Sequence, residues 1–182
     1  MKKIISLFQR NYDTDHLVRD EIVPGAEWVV NGEGVATRKY DGTCCMIRNG
    51  VLYRRYDAKH GKTPPEGFEP AQEPDIVTGH WPGWIPVGDS KNDQYHREAF
   101  AAMGDKPLDG TYELCGEKIQ GNPENFNGHV LVKHGVIVQG VPRNFYPLKE
   151  WMKDINYEGI VWHHPDGRMV KIKRSDFYGK KS

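Results

Sequence analysis

Asn49-Gly50 stands between two strand-like runs, Thr43 to Arg48 and Val51 to Tyr56. An Asn-Gly pair in that setting is the strongest short-range signal for a two-residue β-hairpin, and a hairpin forces antiparallel pairing. Two further turn signals follow. Gly135 parts His129 to His134 from Val136 to Val141, and Pro165-Asp166-Gly167 parts Gly159 to His163 from Arg168 to Lys173. Val35 to Lys39 and Thr111 to Ile119 also read as strands. A helix is expected from Asn92 or Asp93 to about Met103, with Tyr95, Ala99, Ala102 and Met103 on its apolar side. A second runs from Pro147, a good first helical residue, through Ile155. Residues 62 to 88 hold many prolines and glycines, with Trp81 and Trp84 among them, and read as a long, partly packed loop. Many strands and few helices predict an α+β fold with largely antiparallel sheets.

The length, 182 residues, suits a single domain spanning 1–182 with a real core. The 25 basic and 25 acidic residues cancel, so nucleic acid, if bound, needs a local basic patch rather than a net field. The apolar run after Met1-Lys2-Lys3 is too short for a signal peptide, and no stretch reaches a membrane span. Cys44, Cys45 and Cys115 are an odd set, two of them adjacent in a strand and so facing opposite ways, which speaks against a disulfide framework. A reducing cytoplasm is the expected setting.

Four short segments carry the chemistry: Lys39-Tyr40-Asp41-Gly42, Tyr112-Glu113-Leu114-Cys115-Gly116, Glu158-Gly159-Ile160-Val161 and Lys171-Ile172-Lys173. Each has a bland reading when taken singly. Lys171 and Lys173 share one strand face, as on a solvated edge strand. Glu113 and Glu158 sit in apolar surroundings, where a glutamate is usually salt-bridged or turned to solvent.

In this order the four segments resemble the covalent nucleotidyltransferase superfamily of ATP-dependent DNA ligases, RNA ligases and mRNA-capping guanylyltransferases. "YDGTCC", "TYELCG", "QGNPE" and "EGIVWHHPDGRMVKIKRSDFYG" are more closely similar to small ATP-dependent 5′-to-3′ RNA ligases that consist of a lone adenylation domain. The resemblance spans about Val35 to Gly179. It implies the nucleotidyltransferase fold of ligase adenylation domains, ATP-grasp-like in outline, without a C-terminal OB domain.

The resemblance also implies roles. Lys39 is the catalytic nucleophile that takes AMP from ATP. Lys171 and Lys173 supply nearby cations that disfavour a charged lysine and neutralise the α-phosphate. Asp41, Glu113 and Glu158 are the carboxylates for Mg2+ or Mn2+, held through waters, and Glu113 has the ribose as its alternative partner. Thr37 and Arg38 flank the nucleophile on the nucleotide, although many relatives carry a glutamate at the Thr37 position. One of Arg54 and Arg55 faces the nucleotide, since adjacent strand residues diverge. Ile160 packs on the base, with His134 or Phe145 as partner.

The implied reaction joins 5′-phosphate and 3′-hydroxyl RNA ends through lysyl-AMP and adenylated RNA, with no membrane or protein partner. The basic residues Lys171, Lys173, Arg174, Lys180 and Lys181 are candidates for RNA phosphate contacts. His163, His164 and Cys115 lack zinc-site spacing. The alternatives are a DNA ligase or capping guanylyltransferase, for which the missing OB module is a poor fit, and a non-catalytic RNA-binding or nucleotide-sensing module.

Overall fold

The computed structural model describes residues 1–105 and 107–180; Lys181 lies outside them. Along the chain run β1 (Ile5–Ser6), β2 (Phe8–Arg10), β3 (Val18–Ile22), α1 (Glu27–Val30), β4 (Val35–Lys39), β5 (Thr43–Arg48), β6 (Val51–Asp57), β7 (Glu69–Pro70), β8 (Pro82–Pro86), α2 (Gln94–Ala101), β9 (Gly110–Gly116), β10 (His129–Lys133), α3 (Phe145–Met152), β11 (Gly159–His163), β12 (Met169–Lys173) and α4 (Arg174–Tyr178). This is the expected α+β chain, and nearly every strand pair is antiparallel. The described residues fall into two compact units. The first holds Met1–Lys3, 41–105 and 107–134; the second holds Ile4–Tyr40 and 135–180.

The first unit is built on a six-stranded sheet, ordered β10-β9-β5-β6-β8-β7. Asn49 and Gly50 take φ of +52° and +76°, the pair of positive values that a tight hairpin turn needs. The period of two sorts the sheet into faces. Cys45, Ile47, Leu52, Tyr112 and Leu114 turn to one side and form a buried core with Ala99 of α2. Cys44 and Glu113, directly opposite each other in the β5–β9 ladder, turn to the other.

The second unit is built on a four-stranded sheet, ordered β1-β12-β11-β4, with a separate β2–β3 hairpin. Ala36, Ile160, Trp162, Val170 and Ile172 face a core completed by Trp28 and Val29 of α1, Phe145, Leu148 and Met152 of α3, and Phe177 of α4. Each fully buried large apolar side chain contributes roughly 1.5–3 kcal/mol. Thr37, Lys39, Gly159, Val161, Lys171 and Lys173 alternate with these core residues and belong to the opposite face.

Several expectations are corrected. Residues 136–141 do not form a hairpin strand after Gly135. They run along β4 instead, with Arg38 N–H donating to Val136 O, Val138 N–H to Ala36 O, and an isolated bridge between Thr37 and Ile137. Residues 62–88 hold two strands rather than one loop. Pro82 and Pro86 sit only at the ends of β8, so its interior residues Gly83, Trp84 and Ile85 remain free to pair and are buried. The α2 helix ends at Ala101 and buries the expected Ala99 together with His96, while Tyr95 stacks on His129. Asp93 makes no cap bond. The α3 helix begins at Phe145, two residues before Pro147, which still falls in the first turn where its missing N–H costs nothing.

Candidate active site

Lys39 ends β4, and its neighbours follow from the ladder. Lys39 and Lys173 are each register partners of Gly159, while Thr37 and Lys171 are each partners of Val161. Lys39 and Lys173 therefore flank a residue that has no side chain on the lysine-bearing face. A Cβ built on Gly159 would lie 2.1 Å from Ile172 O and 2.8 Å from Lys173 Cα. The close approach of β12 is the physical reason that only glycine fits there.

Glu158, the residue before β11, places Oε2 2.9 Å from Lys39 Nζ, and the two side chains are 19% and 21% exposed. Its backbone carbonyl accepts from Arg174 N–H at 2.9 Å, which ties it to the end of β12. The bland reading of Lys171 as an edge-strand cation fails. β12 lies between β11 and β1, and β1 pairs with Val170 and Lys171. Burial lowers the Lys171 pKa, and the positive charges of Lys39 and Lys173 lower it further; Asp176 and Glu158 act against them.

Asp176 is a residue that sequence reasoning missed. It is 1% exposed, accepts from Lys173 N–H at 2.7 Å, and pairs with the Arg10 guanidinium. It thus fixes the backbone that carries Lys173 at the strand–helix junction. Its only signal in the sequence is an acidic residue in the first turn of a short helix. Chemically, three ammonium groups on one sheet face, set against two carboxylates, make a locally positive surface suited to phosphate.

Strand alternation and burial set the surroundings of three expected nucleotide contacts in this unit. Ile160 is 0% exposed in the core, on the face opposite Lys39; Val161 holds the place on the lysine side. Arg38 also alternates away from Lys39, and its guanidinium lies 4.6 Å from the ring centres of both Tyr40 and Tyr157. Thr37 is on the lysine face but 5% exposed, and its hydroxyl donates to Val161 O at 2.8 Å. Phe145 is a core residue of this unit.

The remaining candidates, Asp41, Arg54, Arg55 and Glu113, belong to the first unit with His134. Asp41 N–H donates to Glu124 Oε1 at 3.3 Å, a partner within "QGNPE" that was not singled out. Gly42 is needed for close approach more than for the turn, since an added Cβ would meet Leu114 O at 2.1 Å. The two arginines diverge as expected. Arg54 lies on the α2 side, 3.0 Å from the buried Asp93 carboxylate. Arg55 lies over Trp84, 4.7 Å from the ring centre, and interacts with Cys44. Burial lowers its pKa. Arg55 is therefore the arginine on the Glu113 face.

Glu113 is 8% exposed, and its Oε1 lies 3.3 Å from His134 Nε2. Carboxylate oxygens suit Mg2+ or Mn2+; Glu158 offers them in the second unit and Asp41 in the first. The thiol and imidazole beside Glu113 make a softer donor set that does not match these hard cations. His163 is at the end of β11, and His164 pairs with Glu33 and Asp166. No helix among the described residues is long and apolar enough to cross a membrane.

Comparison with known proteins agrees with the motif reading. A family profile described as RNA ligase 1 matches residues 101–180. That stretch contains Glu113, Glu158, Lys171 and Lys173, while Lys39 lies outside it. RNA ligase 1 of Mus musculus is 29% identical over 77% of this chain and 65% of its own length. RNA ligase 1 of Danio rerio is 28% identical over 76% and 66%, and that of Pongo abelii 26% over 77% and 66%. The chain thus spans about two thirds of the length of these relatives. The resemblance to RNA ligases carried by its motifs is shared by these matches, and the chain is similar to the RNA ligase 1 proteins over about three quarters of its length.

Proposed function

We propose that the chain is an ATP-dependent RNA ligase that joins 5′-phosphate and 3′-hydroxyl ends. The observation that carries this reading is Lys39, with the Glu158 carboxylate 2.9 Å from its amine and with Lys171 and Lys173 on the same sheet face. A lysine attacks only as the neutral amine. Glu158 holds the ammonium before reaction and offers a proton acceptor when the amine attacks.

The neutral Nζ of Lys39 forms a bond to the α-phosphorus of ATP, and the α–β phosphoanhydride breaks to release pyrophosphate. Lys171 and Lys173 stabilise the charge that gathers on the α-phosphate oxygens. The RNA 5′-phosphate next takes the AMP, which breaks the N–P bond and restores Lys39. The 3′-hydroxyl then displaces AMP and closes the phosphodiester, its proton leaving to solvent. A divalent cation, for which Glu158 carries a suitable carboxylate in the unit that holds Lys39, would supply further neutralisation at the triphosphate.

RNA as substrate is supported by the relatives' names and by "YDGTCC" and "QGNPE". The 2′-hydroxyl is the group by which one site tells RNA from DNA. The test is a matched set of nicked and single-stranded substrates that differ only in the ribose at the 3′-hydroxyl end. Sealing is expected when that end is RNA, with little joining of all-DNA strands, and should weaken as salt rises. Equal sealing of the all-DNA set would reject RNA specificity, and transfer of GMP in preference to AMP would favour a guanylyltransferase.

A further inference from the structure

We propose that Cys44, Glu113 and His134 form a binding site for a divalent transition-metal ion of the zinc class, separate in chemistry from the magnesium or manganese that serves ATP. The three ligand atoms, a thiol sulfur, a carboxylate oxygen and an imidazole nitrogen, all lie within 4.8 Å of one another. They are brought together by regular sheet geometry rather than by a chance of loop packing. Cys44 and Glu113 are direct cross-strand partners on β5 and β9, and both point to the sheet face away from α2. Thr111 precedes Glu113 by two residues on that same face, and His134 continues β10 with its backbone N–H donating to Thr111 O at 3.1 Å. The histidine therefore stands diagonal to the glutamate.

The distances suit a tetrahedral ion. Zn–N and Zn–O bonds near 2.1 Å place neighbouring ligands about 3.4 Å apart. His134 Nε2 and Glu113 Oε1 are already 3.3 Å apart. The longest edge of the triangle is no more than 4.8 Å, within reach of a small rotation of the Cys44 side chain.

The surroundings fit as well. Thr111 Oγ1 lies 2.9 Å from His134 Nδ1, the outer-sphere hydrogen bond that fixes a metal-bound imidazole and leaves Nε2 for the ion. A thiolate and a carboxylate carry two negative charges, so a dication with a neutral imidazole gives an electrically neutral site, which a half-buried position tolerates. The His134 side chain is 22% exposed, so solvent and ions have access, and the fourth position is left for water or an outside ligand. A thiolate with an imidazole selects zinc, cobalt or nickel over magnesium.

The consequence for the proposed ligase is competition. An ion held by Glu113 occupies the carboxylate that a ribose would otherwise meet, so zinc-class ions would oppose nucleotide use at that residue. The metal site itself does not depend on the ligase reading.

Cobalt(II) provides the direct test, because a thiolate ligand gives a sulfur-to-cobalt charge-transfer band in the near ultraviolet. The intact protein, stripped with chelator and given one equivalent of Co2+, should show that band with visible bands of tetrahedral intensity, and Zn2+ should erase both. Cys44→Ala should remove the charge-transfer band, while Cys115→Ala should keep it. The Cys45 thiol is pushed up by burial and faces the opposite side, so it supplies no thiolate. His134→Gln, a milder change, should weaken Zn2+ binding at least about tenfold. Absence of the band in the wild-type protein with Co2+ in excess overturns the proposal. So does a band that survives Cys44→Ala, or zinc affinity unchanged in a folded His134→Gln.

Discussion

Gly159→Ala adds one carbon between Lys39 and Lys173 on the face that they share. The new Cβ would stand 2.1 Å from Ile172 O, 2.8 Å from Lys173 Cα and 3.0 Å from Ile172 C. Side-chain Cβ atoms essentially never come within 3.0 Å of such neighbours, so β12 must retreat by about 1 Å. The obstruction is backbone, with no flexible side chain to swing aside. The cost should therefore reach the upper part of the overpacking range, about 3 kcal/mol. For a chain of this length that lowers the melting midpoint by about 6–12 °C. The same retreat carries Lys171 and Lys173 away from Lys39. A misplacement of this size costs about a hundredfold in rate where positioning supplies the catalysis. Circular dichroism melts and single-turnover AMP labelling of the folded variant read the two effects. Gly88→Ala is the control, since its Cβ meets only an ordinary 3.8 Å contact, and its stability should change by less than about 0.5 kcal/mol. A Gly159→Ala protein that melts and labels like wild type would refute the close-packed strand account.

Lys171 gives a pH prediction. Its folded pKa lies below the usual lysine value of 10.5, first because of burial. The unfolded chain therefore holds that proton more tightly, and stability should rise with pH up to about 10.5 and fall as pH drops through the lowered value. Lys171→Met should lose this slope in a melt series and be no less stable than wild type at neutral pH; an unchanged slope would place the titration elsewhere. The two adjacent arginines should separate in behaviour. Arg54→Ala leaves the buried Asp93 carboxylate without its cation and should lose about 2–3 kcal/mol in a denaturant titration, given that Arg54 is partly exposed. Arg55→Ala should cost less stability than Arg54→Ala and weaken ATP use more; the reverse order would undo the assignment of faces.

The strands that position the chemistry were legible because each carries its own turn and alternation. β4, β5 and β11 match their expected limits, and β6, β10 and β12 differ by one residue at one end. Side-chain direction was legible only where parity was applied. Arg54 and Arg55 were expected to diverge and do, whereas Ile160 was set on a base although it alternates with Gly159 and Val161 across the sheet. The missed elements share a cause. β1 is two residues long and takes its meaning from pairing with β12, far along the chain. β8 is masked by prolines that occupy only its ends. Asp176 is ordinary in sequence and becomes an organiser only through Arg10 and Lys173. The Cys44–Glu113–His134 cluster depends on the register between three strands, which no local spacing encodes.

The central claim is a covalent AMP on Lys39, and intact mass spectrometry measures it directly. The purified protein incubated with ATP and Mg2+ or Mn2+ should gain the mass of one AMP. The adduct should be lost on acid treatment, as a phosphoramide bond requires, and peptide mapping should place it on Lys39. Lys39→Ala should show no adduct with an unshifted melt, because Lys39 is a partly exposed residue at the end of β4 and outside the core. An adduct that persists in Lys39→Ala, or a wild-type protein that takes no AMP under these conditions, would contradict the account.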